Sequence, residues 1–122
     1  MEELRMLLEA EETIKDRIGS ALKALGEWFS QKKAEVKKKF ADLKEAVLKK
    51  IGKADKEAKA EIKDKMQEAQ GACNEILRDC EDGMQAVKAG DAEKARGKKD
   101  KIMKGLKIFG AAALIASTTS NA

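Results

Sequence analysis

The sequence predicts an all-α fold: an antiparallel up-and-down bundle of four amphipathic helices, or five if one of them breaks. Three observations carry this prediction. The 122 residues contain no proline, the residue that removes a backbone donor and clashes with the preceding helical turn. Apolar residues recur at three- and four-residue steps from Leu4 to Leu106, which is helical periodicity. Charged residues make up 39% of the chain, enough to fill the faces opposite that stripe. A long helical hairpin that dimerises is the alternative architecture.

Without proline, glycine and N-cap residues supply the punctuation. A first helix is expected over 2–29, where Leu4, Leu7, Ile14, Ile18, Leu22, Leu25, Trp28 and Phe29 form one stripe. Gly19 and Gly26 are candidate kinks, and Glu2 and Glu3 sit where the helix dipole favours anions. Ser30 is a candidate N-cap for a second helix over 30–51. Val36, Phe40, Leu43, Val47 and Ile51 continue the stripe there, and Glu35–Lys39 and Glu45–Lys49 are favourable i,i+4 pairs. Ile51-Gly52 reads as a helix end and Asp55 as the next N-cap.

A third helix over 54–89 carries Ala58, Ile62, Met66, Ala69, Cys73, Ile76, Cys80, Met84 and Val87 in its seam. Gly71 and Gly83 are candidate interruptions. Gly90-Asp91 is the clearest boundary, a C′ glycine followed by an N-cap candidate. The last helix is expected from Ala92 to about Ala116, and 117–122 should fray. Residues 1–116 then form one domain. The connections are short, so successive helices should be antiparallel neighbours.

Composition limits the chemistry. The chain has no histidine, which removes the usual neutral-pH general base and the commonest metal ligand. Triads built on Ser/His or Cys/His are excluded. No carboxylate pair stands in a context that would raise its pKa, so the expectation is a protein that is not an enzyme, with no cofactor and no metal. Large apolar residues are dense over 4–51 and 102–115 and sparse over 52–101, which predicts a thin central core and modest stability.

The net charge of +4 conceals alternating blocks. Residues 1–30 carry four basic against seven acidic groups, 31–53 nine against three, 70–93 two against six and 94–107 seven against one. Antiparallel packing of such blocks would set register through complementary fields; a solvated charge mosaic is the plainer reading.

Cys73 and Cys80 are seven residues apart. In a continuous helix their Cα atoms lie about 10.5 Å apart, beyond the roughly 7 Å that a disulfide tolerates. They are two small buried residues, a disulfide formed after local helix rupture, or partners of a second chain in a homodimer.

The most unusual segment is 94–116. Lys94, Arg96, Lys98, Lys99, Lys101, Lys104 and Lys107 precede an apolar run from Ile108 to Ala116. Cations followed by a short apolar stretch suit an anionic membrane surface, and the run is too short to span a bilayer. Docking of a last bundle helix on the first stripe is the alternative. The lysines at 32–33 and 37–39 lack the aromatic interleaving of a nucleic-acid surface, so no nucleic acid is expected.

In composition, the Lys/Glu-rich, proline-free, aromatic-poor amphipathic pattern resembles exchangeable apolipoproteins and other small helical lipid binders. No motif matches residue by residue. The leading expectation is a protein that binds lipid, a hydrophobic ligand or a membrane surface. Leu7, Ile18, Leu25, Trp28, Phe29, Phe40, Ile108 and Phe109 would line its interior, and Lys98, Lys99, Lys101, Lys104 and Lys107 would face the membrane. The alternative is a protein-interaction module, such as a secreted effector or coiled-coil adaptor, and a third reading is a cytolytic or antimicrobial protein acting through 94–116. The N-terminus shows no targeting segment, which fits a cytosolic chain or one shown after processing; an extracellular location is favoured over the cytoplasm.

Overall fold

A computed structural model describes the backbone of residues 2–119 and the side chains of residues 19–119. The chain forms three helices: α1 (Glu2–Ile51), α2 (Lys56–Lys88) and α3 (Ala92–Thr118). The expected count of four or five is therefore corrected to three, and the dimerising hairpin is not the architecture either. The all-α class and the up-down order of successive helices stand.

The correction falls at Ser30. Serine caps a helix only when the chain before it is non-helical, and nothing at 26–31 stops the preceding turns. Phe29, Val36, Leu43 and Val47, all buried, keep one seven- and four-residue phase across the junction. The stripe thus continues without a register change, and the two expected helices are one helix of 50 residues. Gly19, Gly26, Gly71 and Gly83 likewise lie inside unbroken helices.

The other boundaries fall where the sequence places them. The Asp55 carboxylate accepts from the Ala58 N–H at 2.7 Å, and that of Asp91 from the Lys94 N–H at 3.0 Å. Each satisfies one of the donors that a helix start leaves unpaired. At the end of α2, the Gly90 N–H donates to the Val87 carbonyl and the Asp91 N–H to the Ala86 carbonyl. This is a Schellman closure, and it requires the left-handed φ of +74° that Gly90 adopts. The last expected helix runs two residues further than predicted, to Thr118; residues 120–122 of the expected tail lie outside the described residues.

α2 and α3 form a tight hairpin through residues 89–91, and α1 lies along it. Gly26 faces Val87 near the end of α2, and Trp28 lies level with Lys99, so α1 is antiparallel to α2 and parallel to α3. Phe40 meets Phe109 at a ring separation of 6.4 Å, and Lys50 donates to the Thr119 carbonyl at 2.8 Å, which keeps α1 and α3 level to their C-terminal ends.

The core is continuous, and its central stretch is made of small residues. Ala58, Ala69, Ala72, Cys73, Cys80, Ala86 and Ala95 are buried together with Ile62, Ile76 and Ile102. Small side chains let the helix axes approach, so the stretch that looked thin in the sequence is filled by proximity and not by volume. The Phe29 ring occupies the space that a Cβ at Gly83 would need, and Ile76 Cγ1 lies 2.9 Å from the corresponding position at Gly105.

The charge blocks pack in register. The acidic second half of α2 lies against the basic first half of α3: Lys98 reaches Asp79 at 3.6 Å and Asp82 at 3.4 Å, and Lys101 reaches Asp79 at 3.4 Å. On the other side, Lys33 of α1 pairs with Glu81.

Candidate functional site

The inner face of α3 is built by a four-and-three spacing. Ile102, Leu106, Phe109, Ala113 and Ala116 are buried or half-buried, with Ala95 and Ala112 beside them. Residues on the opposite side of the helix face away from the bundle. From residue 103 onward this outer face holds Met103, Ile108, Leu114 and Ile115, exposed by 46%, 61%, 63% and 36%. These are four of the five large exposed hydrophobic residues among those described; the fifth, Leu48, lies at the end of α1.

Cations precede and flank the apolar positions. Lys101, Lys104 and Lys107 are exposed, and no acidic residue occurs after Asp100. The last turns also satisfy their own hydroxyl donors. Ser117 Oγ and Thr118 Oγ1 donate to the Leu114 carbonyl at 3.0 and 2.7 Å, and Thr119 Oγ1 donates to the Ile115 carbonyl at 2.7 Å. Such back-bonding removes the need for water at those hydroxyls.

The structure separates the sequence-predicted site residues into three groups. Phe29 and Phe109 are buried, and Leu25, Trp28 and Phe40 are half-buried against the core. Trp28 makes an edge contact with Phe29, and the ammonium groups of Lys32 and Lys99 stand 5.8 and 5.2 Å from its ring centroid. Ile108 does not line the interior; it lies outside the 102–106–109–113 stripe and points outward. The side chains of Leu7 and Ile18 lie outside the described residues.

The five lysines expected at a membrane also divide. Lys104 and Lys107 are free of the core. Lys98 is held between Asp79 and Asp82, Lys101 shares Asp79, and Lys99 covers Trp28. Asp79 is the one charged residue buried among those described, so its two lysines join α3 to α2 and are less available to a partner.

Cys73 and Cys80 are free thiols, both buried, in an unbroken helix. The intramolecular disulfide is thereby corrected: seven helical residues hold the sulfurs apart, as the rise per residue requires. Burial in the core leaves neither sulfur at a surface where a second chain could reach it. Burial pushes the Cys80 thiol up from 9.0 to about 11, with Asp79 adding to the effect. Burial also raises Cys73, against the opposing charge of Lys44. Both thiols are therefore protonated near neutrality and are poor nucleophiles.

Met103, Leu114 and Ile115 were not singled out as site residues by sequence reasoning. The signal was present: none falls on the stripe through Ile102 and Phe109. Among the described residues, no group of three metal-ligating side chains converges and no helix is long and apolar enough to cross a membrane. Comparison with protein-family models, with curated proteins and with solved structures finds no match.

Proposed function

We propose that this chain is a non-enzymatic helical protein that binds lipid at a membrane surface through the outer face of α3. The observation that carries the reading is the exposure of Ile108, Leu114 and Ile115 on a helix whose other face is already packed. A helix that docks only on its own bundle has no use for three branched apolar residues in water. An apolar face behind a lysine cluster is the composition of interfacial helices. Carriage of a hydrophobic ligand in the interior has less support, because Phe29 fills the notch at Gly83 and Ile76 fills that at Gly105.

Vesicle co-sedimentation tests the reading. The native chain should pellet with liposomes, and the double variant Ile108→Ser/Leu114→Ser should stay in the supernatant with unchanged helicity. Equal partitioning of the two proteins, or no pelleting of either with any vesicle, overturns the proposal. A protein-interaction module is the second reading, favoured by the cross-helix ion pairs that set register here without any lipid. It predicts a lipid-indifferent protein.

A further inference from the structure

Resting on the lipid-surface reading, we infer that the partner is an anionic phospholipid bilayer and that the protein docks on it as an intact bundle, without opening its helices. The occupant follows from charge. Between Lys101 and Thr118 the exposed positions of α3 carry three lysines and no carboxylate. Lys104 and Lys107 lie within one turn of Ile108, so the cations meet headgroup phosphates as the apolar residues reach the acyl boundary. A zwitterionic surface supplies no net charge to match them.

The intact state follows from where the apolar residues already are. An exchangeable helical lipid binder exposes its stripe by unpacking, trading helix–helix for helix–lipid contact. Here Ile108, Leu114 and Ile115 stand outside the core before any lipid arrives. Opening would break the approach of α2 to α3 at Gly105 and Ile76 and strip Asp79 of both its lysines. A buried carboxylate left without partners is strongly unfavourable. The preformed face needs none of this.

The molecule carries its own reporters of opening. Cys73 and Cys80 are buried between the helices and are the only thiols in the sequence. Trp28 lies level with Lys99, ten residues before Phe109, or ~15 Å along the axis from the apolar turns.

The experiment uses the native protein with phosphatidylcholine vesicles and with vesicles containing phosphatidylserine, and follows co-sedimentation, iodoacetamide labelling of both cysteines and Trp28 emission. Binding is expected to phosphatidylserine vesicles alone, to weaken with added salt, and to leave thiol labelling and Trp28 emission as in solution. Lys104→Gln/Lys107→Gln should lose about 25-fold in affinity, about fivefold for each charge near the surface. Equal binding to both vesicle types overturns the anionic partner while leaving the lipid reading intact. Lipid-dependent labelling of the cysteines, or a blue shift of Trp28, overturns the intact bundle. Absence of binding to either vesicle removes the lipid reading itself and this inference with it.

Discussion

The contact between α2 and α3 and the contact that holds α1 are built from different residues. α2 and α3 meet through small side chains and glycine, with Ile76 against Gly105 and the buried Asp79 between Lys98 and Lys101. Their connection is three residues closed by a Schellman turn and an Asp91 cap. α1 joins through large side chains: Phe29, Val36, Phe40, Leu43 and Val47. Among the described residues its one cross-helix ion pair, Lys33–Glu81, lies at the surface. Close approach with a buried ionic contact makes the hairpin the more cooperative unit. α1 depends on a few large side chains, with Phe29 seated in the notch at Gly83, so single substitutions should loosen it first.

The largest expected effect tests that asymmetry. Phe29 is fully buried and its ring lies over Gly83. Phe29→Ala should destabilise by about 3–5 kcal/mol, the range for a buried aromatic cut to alanine. Amide hydrogen exchange should quicken in α1 before α2 and α3. Earlier exchange in α3 would reverse the ranking of the two contacts.

The notch itself gives the next test. A Cβ at Gly83 overlaps the Phe29 ring, whereas one at Gly71 meets nothing within 4 Å. Both glycines lie inside α2. Gly71→Ala should gain about 0.5–1 kcal/mol from helix propensity. The same gain at Gly83→Ala is outweighed by overpacking of about 1–3 kcal/mol. Urea denaturation of the two variants should therefore move in opposite directions. A gain at both sites would show that Phe29 is not seated on Gly83.

These notches mark the limit of what the sequence made legible. Asp55, Gly90 and Asp91 act locally, through side-chain caps and the positive φ of Gly90, and their positions were readable from residue type alone. Ser30 was misread because a cap residue is only a permission to start, and the stripe on either side of it kept phase. The role of Gly83 was not readable, since what fills a glycine notch comes from another helix. Within α3 the information was present but misapplied. Ile108 was assigned to the interior for being apolar, although the 102–106–109 spacing already placed it outside.

The buried thiol of Cys80 gives a pH test within α2. An unfolded thiol titrates near 9.0, while the folded one is pushed up to about 11 by burial, with Asp79 adding to it. The folded state therefore holds its proton more tightly. That contribution is fully present below pH 9 and is lost as pH rises through 11. Melting temperature should fall across this window, and Cys80→Ala should flatten the fall relative to the native chain. Parallel curves for the two proteins would show that the thiol is not desolvated.

The smallest expected effect lies at the water-exposed contact of α1. The hydrogen bond from Lys33, and then its charge, hold the Glu81 carboxyl below the usual glutamate range. A depressed carboxyl contributes stability above its unfolded pKa, and that contribution is lost as pH falls through the folded value. Glu81 is fully exposed, so solvent and salt screen the pair and its share of stability is slight. The titration is the better readout. In carboxyl-detected NMR, Glu81 should titrate below the usual glutamate range, and Lys33→Ala should return it to that range with almost no change in urea midpoint. A midpoint shift as large as that of Gly83→Ala would mean that α1 is held by charge as much as by Phe29, and the contrast between the two contacts would fall.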